Sequence, residues 1–127
     1  MAVYELHCEF EVTRRIGWSD DDLGTHIDEV YEVLHQGNDV LKIDTRADLD
    51  TGLTTITLRF RDWLTDDPGH VGRVILGVAI STAGAEHEGL LPIGEAAGSG
   101  TGRNRYRGIK LPMWRLRKAT SSRALDA

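Results

Sequence analysis

The side chains best suited to chemistry in this chain are five histidines, His7, His26, His35, His70 and His87, and a single cysteine, Cys8. Metal binding needs such groups to converge, at i and i+4 on a helix or in short Cys/His clusters. No two histidines stand at that spacing, and one cysteine can form neither a cysteine-cluster site nor an internal disulfide. His7 comes nearest, because Glu5 and Glu9 share its face of an alternating segment; a solvated carboxylate face explains the same pattern. The sequence therefore predicts no metal and no cofactor. His26 and His35 flank the apolar stripe of a helix and are expected at its surface or as capping groups. Cys8 falls on the apolar side of its segment, where burial raises a thiol's pKa and makes it unreactive. No G-x-S-x-G elbow occurs, and the Asp20–Asp22 run is explained by a helix start. "GSGTG" at 98–102 lacks the following helix and the Lys-Ser or Lys-Thr pair of a phosphate loop. No catalytic constellation emerges, and a protein that is not an enzyme is the expectation.

Charge points elsewhere. Residues 98–118, "GSGTGRNRYRGIKLPMWRLRK", hold seven Arg and Lys and no carboxylate, whereas residues 1–97 carry nineteen acidic groups against seven basic ones. The net charge is thus −12 over residues 1–97 and +7 over residues 98–127. Arg103, Arg105 and Arg107 alternate around Tyr106; Lys110 follows, then Trp114 with Arg115, Arg117 and Lys118. Guanidinium groups suit phosphates and Tyr or Trp rings stack on bases, so residues 103–118 are candidates for gripping an anion or nucleic acid. The competing expectation is a strand whose basic stems cover the core and neutralise the acidic body.

These groups need a scaffold, and 127 residues with 40% apolar and 28% charged side chains suit one globular domain. "VYELHCEFEVT" alternates: Tyr4, Leu6, Cys8, Phe10 and Val12 share one face, and Glu5, His7, Glu9 and Glu11 the other, as in a half-buried strand. In "GWSDDDLGTHIDEVYEVLHQGND", Ser19 can cap a helix, Trp18 can staple onto Leu23, and Leu23, Ile27, Val30, Tyr31 and Leu34 form one apolar stripe at helical spacing. Gly37 is expected to end it in a left-handed conformation. "VLKIDTRADLDTGLTTITLRF" reads as a hairpin turning at Asp50, Thr51 and Gly52. For "TDDPGHVGRVILGVAISTAG" a helix starting at Pro68 is preferred to a buried strand, with Val71, Val74, Ile75, Val78 and Thr82 on one face. Residues 94–102 are glycine-rich and predicted to be a loop. A last strand follows, placed at an edge or split by Pro112.

Strand–helix–strand–strand–helix–strand is the order of the ferredoxin-like α/β plait, a four-stranded antiparallel sheet with two helices on one face. The expected domain spans residues 1–118, and residues 119–127 are expected to be a flexible tail. In a plait, strands one and three are neighbours, setting Glu5, His7, Glu9 and Glu11 beside Thr55, Thr57, Arg59 and Arg61. That polar face carries no aromatic ring, unlike sheets that stack RNA bases.

The expected role is a small non-catalytic binding or assembly module, acting as a homo-oligomer or through a protein partner. One alternative is nucleic-acid binding by the basic arm. Another is a small-molecule enzyme of the dimeric plait type, with its site between sheet and helices. An acidic N-terminus unlike a signal peptide predicts a cytosolic protein, and the lack of any ~20-residue apolar run predicts no membrane span.

Overall fold

Alternating residues over Ala2–Thr13 form strand β1, with Leu6, Cys8, Phe10 and Val12 buried on one face. A computed structural model describes residues 2–37, 40–62, 68–90 and 111–123. Helix α1, Asp20–His35, follows. Ser19 Oγ accepts from the Asp22 N–H at 3.2 Å, and Asp22 Oδ2 accepts from the Ser19 N–H at 2.9 Å. This reciprocal capping box satisfies two donors that the first turn leaves free. Arg14 ties the helix start to its surroundings, with an ion pair to Asp20 at 2.9 Å and a hydrogen bond to the Leu49 carbonyl at 2.6 Å. Leu23, Ile27, Val30 and Leu34 are buried, at roughly 1.5–3 kcal/mol for each such side chain. Gly37 does not take the expected left-handed conformation. The helix tightens instead, its N–H donating to the Leu34 carbonyl at 3.1 Å.

Strands β2, Val40–Ala47, and β3, Leu53–Asp62, form the expected hairpin. Helix α2, Pro68–Thr82, is a helix as preferred, but its buried face differs from the expected one. Leu76, Ala79 and Ile80 are in the core, whereas Val74 and Val78 are 37% and 58% exposed. Gly72 explains the rotation. A Cβ there would lie 2.8 Å from Leu6 Cδ2 and 2.9 Å from Phe60 Cε1, so only a glycine lets the helix sit this close to the sheet. A helix apolar nearly all round carries little periodicity to say which side faces the core.

The expected four-stranded antiparallel plait is not what forms. Among the described residues the sheet is mixed and has five strands, in the order β2, β3, β1, then β5 (Met113–Arg123) and β4 (Glu86–Glu88). The additional strand, β4, stands between α2 and the last strand, β5, and pairs with it in parallel. Three residues are too short to show a period of two, and their partner lies beyond a long connection, so sequence pattern could not reveal them. The flexible tail also needs correction: residues 119–123 continue β5 beside β1, where Ala119 faces Cys8 and Ser121 faces Leu6. A bulge between Glu9 and Phe10 places Lys118 opposite Glu9 and Leu116 opposite Phe10. Both helices pack on one face of the sheet, around a core joining Leu6, Phe10, Leu23, Leu34, Leu58, Phe60, Leu76 and Trp114. The other face is polar.

Candidate functional site

On the polar face, β1 and β3 are antiparallel neighbours as expected, with Glu5 opposite Arg59, His7 opposite Thr57 and Glu9 opposite Thr55, while Glu11 stands opposite Leu53 and Arg61 opposite Val3. Arg59 Nη2 donates to Glu5 Oε2 at 3.2 Å, and His7 Nδ1 lies 2.9 Å from Thr57 Oγ1. From β5, Arg117 reaches Glu11 at 3.4 Å, and Arg115 pairs with Glu88 of β4 at 2.8 Å. The face is therefore a mesh of pairs between strands remote in sequence. Each such pair contributes only ~0–1 kcal/mol at a solvated surface, so the mesh sets register more than stability.

Of the basic-arm candidates, Arg103, Arg105, Tyr106, Arg107 and Lys110 lie outside the described residues. Arg115, Arg117 and Lys118 are on β5 and exposed. Trp114 is not available to stack on a base: it is fully buried, 5.3 Å edge-to-face from Phe10. Its indole Nε1 donates to His26 Nε2 at 2.9 Å. His26 is correspondingly not the surface or capping residue its position suggested; it is 3% exposed and packed between the rings of Trp18 and Trp114. As an acceptor at Nε2, its imidazole is neutral, with Nδ1 carrying the proton on the side of Glu29, 3.8 Å away. Burial holds the His26 pKa below its ordinary value of 6.5, opposed by the Glu29 charge and hydrogen bond. Burial lowers that of His87 as well.

These two histidines dictate an acid response. In the unfolded chain they take up protons near pH 6.5, while in the folded chain they do so only at lower pH. Unfolding stability is therefore fullest above pH 6.5 and falls as the pH drops below it, by at most about 1.4 kcal/mol per pH unit for each group. Urea unfolding at pH 7.5 and 5.5 measures this, and His26→Gln should remove about half of the difference. Equal stability at the two pH values would refute the assignment of His26 as a buried neutral acceptor. Cys8 is likewise committed to the core, with burial pushing its thiol up to about 12 against a partial opposing effect of the Arg73 charge.

A cleft of about 530 Å³ runs between α1 and the outer edge of β2, lined by Gly24, Ile27, Asp28 and Tyr31 from the helix and by Ile43, Thr45 and Ala47 from the strand, with Asp44 and Leu49. A second hollow of about 240 Å³ extends it past Tyr31, Ile43 and Lys42. The backbone of β2 gives this cleft its chemistry. Asp48 N–H donates to the Leu53 carbonyl at 2.9 Å, which marks the hydrogen-bonded phase of the hairpin ladder. Counting back by two in the same register, Arg46, Asp44 and Lys42 exchange bonds with β3. The N–H and C=O groups of Ile43, Thr45 and Ala47 then point away from β3, and these three residues line the cleft. The Thr45 Oγ1, buried, also has no hydrogen-bond partner among the described residues. At the opposite side of the sheet, β4 covers β5 only from Met113 to Arg115.

No protein family, curated protein or solved structure matches this chain. Nothing in the local sequence pattern marks the cleft. The hairpin was legible, but which of its two strands would stand at the sheet edge, and beside which helix, depends on strand order.

Proposed function

We propose that the protein is a small non-catalytic module that works by binding another polypeptide chain, either a partner or a second copy. The observation carrying this reading is the outer backbone edge of β2, which pairs with no other strand among the described residues and is set in a cleft against α1. Unpaired strand edges are templates for another chain, and a helix alongside supplies side-chain contacts that make the pairing selective. Two side chains with nucleophile or base character support the same reading by being taken up in the core: the Cys8 thiol is buried and hard to ionise, and His26 holds Trp114. The nucleic-acid alternative draws less support, since Trp114 is in the core and Arg115 and Arg117 are paired with Glu88 and Glu11.

The test is affinity capture by the tagged full chain, with and without nuclease, followed by sedimentation of the purified species. A stoichiometric polypeptide that survives nuclease, or self-association of the purified chain between micromolar and millimolar concentration, is the expected result. Capture that vanishes with nuclease overturns the proposal in favour of the basic arm. A strict monomer with no stoichiometric polypeptide overturns it as well.

A further inference from the structure

We infer that the α1–β2 cleft takes an extended, cationic segment of a partner protein as an added strand of the sheet. This deepens the binding reading above and rests on it. Three residues of β2 turn both backbone groups outward, so an incoming strand gains about six main-chain hydrogen bonds over a stretch of five residues. In an added strand, successive side chains alternate between the two faces of the sheet. One set descends onto the apolar floor made by Ile27, Ile43 and Leu49, and the other stays on the polar side. Charge selects the partner. Asp28 and Asp44 border the larger hollow against Lys42 at the smaller one, and the whole chain carries a net charge of −5. Such a field raises the local concentration of a cationic segment and repels an anionic one.

Gly24 lines the cleft from the helix side. A Cβ there would meet only Leu49 Cδ1, at an ordinary contact distance of 3.7 Å, so a side chain can start from this lining position without a clash. Glycine is also a poor residue for a helix interior, so replacing it favours α1. Gly24→Leu should therefore fold with an unchanged or raised Tm while blocking the site.

The probe is a capped nine-residue peptide alternating valine and lysine, compared with its valine–glutamate counterpart, titrated into the isotope-labelled full chain. Binding should shift the Ile43, Thr45 and Ala47 amide signals and slow their hydrogen exchange by about tenfold or more. The glutamate peptide should bind at least about tenfold more weakly, and Asp28→Asn should weaken the lysine peptide about two- to fivefold. N-methylation of alternate residues in the peptide supplies a test independent of any protein variant. One alternating set should abolish binding and the other should leave it, because only every second residue of an added strand bonds to β2.

The inference is overturned if the three amides do not respond at millimolar peptide, if both N-methylated sets behave alike, or if Gly24→Leu folds and still binds. A self-complex of the purified chain that is lost in Gly24→Leu overturns the choice of occupant and gives the cleft to a second copy. Because capture of a partner elsewhere on the surface would leave the peptide result negative, failure here is distinguishable from failure of the binding reading itself.

Discussion

Trp114→Ala should lower the stability of the folded chain by about 3–5 kcal/mol, the range for removing a large buried aromatic side chain. The ring is fully buried, packs edge-to-face on Phe10 and donates to His26. Alanine would leave a cavity, a missing aromatic contact and an imidazole acceptor without its donor. Trp114→Phe separates these contributions. It retains most of the ring packing but leaves His26 Nε2 unpaired, so its cost should be about 1–3 kcal/mol. Adding His26→Leu to Trp114→Phe removes the orphaned acceptor, and the pair should lose less than the sum of the single variants. Denaturant unfolding of the three variants measures all of this. Losses under about 0.5 kcal/mol in each, the range for surface substitutions, would show that Trp114 is not the core residue described and would reopen its role in stacking.

Gly52→Ala should cost about 2–5 kcal/mol, a large effect for one methyl group. Gly52 has φ +81°, in the region where L-residues pay ~1–2 kcal/mol. It also faces Val12 directly. The Val12 N–H donates to the Gly52 carbonyl at 2.9 Å, and a Cβ would collide with the Val12 carbonyl oxygen. Overpacking against backbone adds ~1–3 kcal/mol, because backbone cannot move aside as a side chain can. Gly84→Ala is the control. Its φ of +89° is similar, but nothing lies within 4 Å of the added Cβ, so it should show the conformational cost alone. Equal losses at the two glycines in denaturant melts would exclude the steric contribution at Gly52.

These two positions also show where legibility in the sequence ends. Gly52 was readable as a turn residue, because Asp50-Thr51-Gly52 between two alternating segments carries its own turn chemistry. That the turn would press on the end of β1 was not readable, since Val12 is forty residues earlier. His26 and Trp114 are 88 residues apart, and each looked like a surface group beside its own neighbours. Only the packing of α1 onto β5 buries them, Trp114 being one of the two rings expected to stack on bases. The charged partners Glu5 and Arg59 could be anticipated because both sat on cleanly alternating strands expected to be neighbours. Arg115 and Glu88 could not, because β4 is too short to be seen before it pairs.

By itself the sequence determined the features that arise within a dozen residues or so: the alternation of β1, the capped and striped α1, the β2–β3 turn, and the division of charge between an acidic body and a basic arm. Local sterics, capping hydrogen bonds and a period of two or 3.6 are enough to dictate these. The tertiary structure decided the strand order, the insertion of β4, the face that α2 presents and the β2 edge that, among the described residues, stands unpaired beside α1. Those outcomes are set by contacts between remote segments, such as Gly72 against Leu6 and Phe60, whose closeness exists only after the chain has folded. The candidate binding cleft belongs to this second group, because an edge is free only relative to the strands that did not pair with it.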